Sequence, residues 1–245
     1  GLLTRSDETG ETVAQPRQTI DAFGHGGADA GLLIGRQGFV EIELTVAQCA
    51  GFARVHLGGI ETVGTALLAL FSVGVGTGSL LCERMSRRRV ELGLVPFGSI
   101  GLTLFAVDLW FASRGLAASS IAGLDVFVAN PAHWRVAADL VLIGVFGGFY
   151  IVPLYALIQE RSEPSHRSRI IAANNILNAV FMVVAALAAI LLLKAGLSMP
   201  DLFLVTGLMN AAVALFIYLL LPEFLMRFLA WLLINAVYHM RTEGL

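Results

Sequence analysis

The chain has 245 residues, 57% of them hydrophobic and only 14% charged, with a formal net charge of −2. A soluble globular domain carries about 25% charged residues, so this composition excludes an ordinary water-exposed surface. The near-neutral balance, without a basic–aromatic face, also gives no reason to expect nucleic acid as a partner.

The first residues, 1–17, are polar and acidic and contain no apolar core of the kind a cleavable signal peptide needs. The chain opens on Gly1 rather than Met, which suggests a fragment or a processed product. Residues 24–38 are glycine-rich and broken by Asp29 and Arg36, a pattern of loop or weak order. The uncharged run 44–53 is flanked by Glu43 and Arg54 and is too short to cross a bilayer. Residues 1–60 are therefore expected to be poorly ordered and to hold no transmembrane helix.

Beyond residue 60 the pattern changes. A hydrocarbon core of about 30 Å requires about 20 mostly apolar helical residues, since any other backbone leaves polar groups unpaired in lipid. The windows 63–82, 92–113, 140–159, 170–193 and 202–221 meet that requirement, and Asp108 is the single charge in the second. Pro222 ends the fifth, because a helix continued through it loses a backbone donor. Residues 223–245 carry another apolar run interrupted by Arg227, expected to form an amphipathic linker helix and tail. The fold class is thus an all-α membrane protein, with residues 61–222 forming a bundle of about five transmembrane helices.

Loop charge orients the bundle. The first connection holds Arg84, Arg87, Arg88 and Arg89, and the third holds Arg161, Arg167 and Arg169. The second and fourth hold only Arg114, Arg135 and Lys194. Positively charged loops stay in the cytoplasm, so the first and third connections are predicted inside, as is the C-terminus. Asp108, close to the outer end of its span, is expected to reach toward water.

No metal or cofactor is expected: Cys49 and Cys82 stand in no CxxC or Cys/His spacing, and a disulfide is disfavoured. The run Gly74-Val-Gly76-Thr-Gly78 has the glycine content of a phosphate loop but lies inside an apolar span. Gly74 and Gly78 instead form a GxxxG pair on one face, suited to close helix packing. The stretch Ser79-Leu-Leu-Cys82-Glu83-Arg84-Met-Ser86-Arg87-Arg88 is the most informative. A carboxylate at a cytoplasmic helix end pairs readily with arginine across a helix interface, and a rocking motion must break that contact. Glu83, Arg84, Arg87 and Arg88 are the candidate gate residues; the plainer alternative is that the arginines only set topology.

That stretch resembles the loop signature of the major facilitator superfamily, G-x-L-x-D-R-x-G-R-R. Ser79 stands for the first glycine (or Gly78 with an offset of one residue), Glu83 for the aspartate and Ser86 for the second glycine, while Arg84 matches. With residues 90–101, 147–161 and 169–178, the sequence from about Val55 to Met240 is similar to the C-terminal half of lysophospholipid-transporter-type facilitators, especially those fused to a glycerophospholipid acyltransferase. The resemblance implies twelve spans, of which five are matched here, with residues 1–54 unlike the expected seventh. It implies alternating access between two halves, a lysophospholipid or phospholipid substrate in contact with membrane lipid, and a location in the bacterial inner membrane. The H-x4-D pair of the fused enzyme has no counterpart: Asp139 falls one position too far from His133. The chain is therefore expected not to be an enzyme, although a fused or associated acyltransferase remains an expected partner. A membrane anchor for such an acyltransferase, without transport of its own, is the alternative reading.

Polar residues inside spans mark candidate transport paths. Asn174 and Asn178 share a helix face at i and i+4, Tyr150, Tyr155 and Gln159 lie in the preceding span, and Asn210 lies in the last. The same side chains serve equally well as hydrogen-bonded glue between helices.

Overall fold

The computed structural model describes residues 44–86, 93–114, 116, 123–162 and 165–220, together with 226, 229–230 and 232–233. Among them the chain is helical, without a β-strand. Helix α1 covers residues 44–51 and runs on into one π-helical turn, Phe52–His56. It is followed by α2 (Glu61–Met85), α3 (Leu94–Ser113), the short α4 (Leu124–Ala129), α5 (Pro131–Arg161), α6 (Arg167–Lys194) and α7 (Met199–Leu220). Five of these, α2, α3, α5, α6 and α7, are long and apolar enough to cross a membrane. The protein is an all-α membrane protein of the multi-pass kind.

Helices α2, α3 and α5 form the centre, with α7 against α3. In lipid no hydrophobic effect drives helices together, so close van der Waals packing must do so. Small residues supply it. A methyl group on Gly74 would fall on the Val141 carbonyl oxygen and one on Gly78 on that of Val145. The surface opposite is built the same way. A methyl on Gly144 would meet the Phe71 carbonyl, and one on Gly148 would lie 2.7 Å from the Ser79 nitrogen. Two GxxxG pairs therefore cross backbone to backbone, and the Gly74–Gly78 run is a packing surface. Gly98 takes the backbone of Tyr150 in the same manner. Phe97, Phe105, Phe146 and Phe149 fill the space beside that contact, with ring centroids 5.1–6.1 Å apart.

Two sequence expectations change here. Residues 44–56, placed in a poorly ordered segment, are helical, and Cys49, Phe52 and Ala53 are fully buried in the core. The apolar run was too short to span but long enough to pack: Phe52 meets Phe203 of α7 edge to face at 5.6 Å. The third span begins at Pro131, not at 140. Asn130 caps it, its Oδ1 accepting from the Ala132 amide at 3.0 Å, with proline in the first turn where its missing N–H does no harm. His133 and Arg135 consequently lie on a helix and not in a loop. The linker 223–245 lies outside the described residues apart from 226, 229–230 and 232–233, as do residues 1–43.

The loop-charge orientation has a direct test. Both native cysteines are buried, and burial pushes the Cys49 thiol up to about 12, so neither competes for a thiol reagent. Cysteine at Ser86 or Ser165 is expected to react only with reagents that enter the cytoplasm, and cysteine at Ser119 with an impermeant reagent added outside. Labelling of Ser86→Cys from outside intact cells would reverse the orientation.

Candidate functional site

Helix α6 has an inverted character for its composition. Along its 28 residues the only buried ones are Asn174 and Asn178, whereas Ile176, Val180, Val183, Leu187 and Leu191 are exposed. In water this arrangement would be unstable; in lipid it is expected, because apolar side chains face the solvent and polar ones turn inward. Asn174 Nδ2 donates to the Tyr155 hydroxyl of α5 at 3.4 Å, a long contact. The Asn174 Oδ1 and both amide atoms of Asn178 are buried without a hydrogen-bond partner. Buried polar groups are normally paired, so this face offers open hydrogen-bonding capacity inside a membrane span.

The structure brings together only part of the predicted path. Tyr155 and Asn174 meet between α5 and α6, and Asn178 is buried one turn further along the same helix as Asn174. Gln159 is exposed one turn further along α5. Tyr150 belongs to the bundle core, fully buried where its backbone meets Gly98. Asn210 is also removed from the path. Its Nδ2 donates to the Ser99 carbonyl at 2.9 Å and to Thr103 Oγ1 at 3.0 Å, and its Oδ1 accepts from Ser99 Oγ at 3.4 Å. With both ends of the amide engaged, Asn210 joins α7 to α3 and has the role of interhelical glue.

At the C-terminal end of α2, Glu83 and Arg84 are exposed, while Cys82 turns inward. Ser86 ends the helix with its amide on the Cys82 carbonyl and its hydroxyl on the Glu83 carbonyl at 3.2 Å. Arg87 and Arg88 lie outside the described residues.

A second polar cluster was not foreseen. Arg135 Nε donates to Asp108 Oδ2 at 3.2 Å, and the second arm of the guanidinium reaches Oδ1. Asp108, expected to reach toward water, is partly exposed and is also held in a two-armed ion pair across α3 and α5. Asp139, one turn along α5 from Arg135, is 3% exposed and lies within hydrogen-bonding range of Asp108. The sequence held a signal in the i and i+4 spacing of Arg135 and Asp139, but the two share a helix face only because α5 starts early. At about 1.5 Å per residue, α5 is about 46 Å long, so this end of it reaches the membrane surface. No cluster of three or more metal-ligating side chains occurs among the described residues.

Comparison with known proteins adds a limited but consistent result. Over 78 residues the chain is 38% identical to the lysophospholipid transporter LplT of Escherichia coli O157:H7 (strain EC4115 / EHEC) and to that of Shigella flexneri serotype 5b (strain 8401). The matched segment is 31% of this chain and 19% of either relative, so the chain spans about a fifth of the length of the curated proteins it matches. These relatives are named as transporters and not as enzymes. No family model matches the chain, and no solved structure matches it.

Proposed function

We propose that this chain is part of a facilitator-type carrier that moves lysophospholipids across the bacterial inner membrane by alternating access, and that it contributes the C-terminal half of such a carrier. The observation that carries the reading is the inward face of α6. A span whose only buried residues are two asparagines, one of them wholly unpaired, is built to meet something polar. The similarity to proteins named as lysophospholipid transporters supplies the substrate class, and the loop after α2 supplies the gate of the proposed mechanism. Tyr155, Asn174 and Asn178 would face the polar part of the lipid as it crosses, with Glu83, Arg84, Arg87 and Arg88 controlling the cytoplasmic end.

The experiment is uptake of a fluorescent lysophospholipid by vesicles carrying the full-length protein, with two substitutions that separate path from glue. Asn178→Leu removes polar groups that have no partner, so stability should stay the same or rise while transport falls at least severalfold. Asn210→Leu strips the Ser99 carbonyl and Thr103 of their partner and should lower stability by about 1–3 kcal/mol. If Asn178→Leu instead destabilises the fold and leaves the uptake rate of the surviving protein unchanged, the path assignment is wrong.

A further inference from the structure

The polar cluster between α3 and α5 holds more acid than base, and the transport path does not use it. Arg135 reaches Asp108 through two arms of its guanidinium, Nε donating to Oδ2 at 3.2 Å and a terminal nitrogen to Oδ1. Both side chains of that pair are partly exposed. Asp139, one turn along α5 from Arg135, is only 3% exposed, and among the described residues it joins no ion pair. Its Oδ2 is buried without a hydrogen-bond partner, yet its carboxyl lies within hydrogen-bonding range of Asp108.

The elements packed around Asp139 offer it no cation of its own. Helix α5 meets α2, α3 and α4. Between Glu61 and Glu83, α2 carries no charge, and Glu61 is paired with Arg54 at 2.9 Å. Helix α3 brings Asp108 and, at its C-terminal end, Arg114, which stacks over the Trp110 ring at 4.2 Å. Helix α4 brings only the exposed Asp125. On α5 itself stand Arg135 and His133, whose Nδ1 donates to the Phe127 carbonyl at 3.1 Å. Two carboxyls thus face one guanidinium, and the buried carboxyl is the one left over. Ionised carboxylates only accept hydrogen bonds, so two in contact repel, whereas one proton between them makes a short charge-assisted O–H···O bond. A buried oxygen with no accessible surface has no room for an ion or a lipid group. A proton needs none.

We propose that Asp108 and Asp139 share one proton, and that this proton latches α3 to α5 near the point where α3 ends and α5 begins. While held, it completes a chain from Arg135 through Asp108 to Asp139 that ties the two helices together. Once released, it leaves two carboxylates facing each other over one guanidinium, and their repulsion loosens that end of the bundle. The glycine contact of Gly98 with the Tyr150 backbone, further along the same pair of helices, involves no titrating group and stays closed. A folded state that holds this proton binds one more than the unfolded chain does above the ordinary aspartate value of about 3.9, so stability falls as pH rises from there. With the orientation expected from loop charge, the latch answers to pH on the periplasmic side. It stands whether or not the chain carries lipid.

The test is an infrared pH titration of the purified chain in detergent, with unfolding measured beside it. At neutral pH the unsubstituted chain should show the C=O stretch of a protonated carboxyl, and the band should fade as pH rises. Asp139→Asn mimics the protonated side chain and should remove the band. Asp108→Asn should remove it too, because both arms of Arg135 become free to pair with Asp139, which then ionises. The unfolding equilibrium constant of the unsubstituted chain should rise with pH, by up to about tenfold per unit for one proton, and Asp139→Asn should flatten that rise. His133→Gln should leave the rise in place. A spectrum without the band at neutral pH means that Asp139 is ionised and served by a spare N–H of Arg135, which overturns the proposal without need of any variant. A band that survives Asp139→Asn belongs to another carboxyl, and one that survives Asp108→Asn belongs to a proton that is not shared; either result overturns it. So does a pH dependence of unfolding that is lost in His133→Gln and kept in Asp139→Asn.

Discussion

Alanine at Gly148 or Gly144 is expected to destabilise the bundle by about 1–3 kcal/mol or more, the usual penalty for forcing extra volume into a packed contact. The new methyl at Gly148 would lie 2.7 Å from the Ser79 nitrogen, 2.8 Å from the Gly78 carbonyl carbon and 2.9 Å from the Val75 carbonyl oxygen. Every one of these neighbours is backbone, so no side chain is able to swing aside, and relief requires α2 and α5 to move apart. Separation in turn opens the contacts of Leu67, Phe71, Leu140 and Ile143 in the same core. Gly76 provides the control. It lies on α2 with nothing within 4 Å of where an added methyl would stand, and alanine there should be neutral or stabilising by up to about 1 kcal/mol. Thermal unfolding in detergent, followed by circular dichroism, separates the two cases. Equal midpoints for Gly148→Ala and Gly76→Ala would show that the two helices do not meet through these glycines.

On the proposed carrier reading, Glu83→Gln is expected to slow lysophospholipid transport about ten- to a hundredfold while leaving insertion intact. The argument is one of state-dependent contact. Glu83 and Arg84 are exposed in this structure, and in the proposed mechanism the contact that closes the cytoplasmic side forms in another conformation. A hydrogen bond to a charged group is worth about 1.5–3 kcal/mol, and removing it from one state shifts a two-state balance by the corresponding factor. Glutamine keeps the size of the side chain, and all four arginines of the loop remain to set topology. Arg89→Gln, beyond the resemblance to the facilitator signature, should change the rate little. Initial uptake of fluorescent lysophospholipid at matched expression is the measurement. Unchanged rates for both variants would reduce the loop to a topology signal.

Membrane character and the five long helices were legible in the residues because lipid imposes a simple rule: an uncharged stretch of about 20 residues must be helical to satisfy its own backbone. The i and i+4 spacing of Asn174 and Asn178 likewise suffices to place them on one face, as the spacing of Gly74 and Gly78 does for the crossing. Helix α5 shows where that rule stops. Residues 131–139 include His133, Arg135 and Asp139, charged or polar enough to read as loop, yet the Asn130 cap and Pro131 start the helix there. A hydropathy window measures what lipid accepts and is blind to a cap that extends a helix into the interface.

What each polar side chain does was decided by tertiary contact alone. Asn178 and Asn210 are the same residue type, both buried in apolar helices, and nothing in their local sequence separates them. Asn210 faces Ser99 and Thr103 across the α3–α7 contact and is fully engaged, whereas Asn178 faces no partner and keeps its hydrogen-bonding groups open. Gln48 likewise meets a threonine 158 positions away, its amide nitrogen donating to Thr206 Oγ1 at 3.5 Å. Periodicity along the chain determines which face a side chain occupies. The donors and acceptors waiting opposite that face come from distant segments, so only the assembled bundle determines whether the group is glue or site.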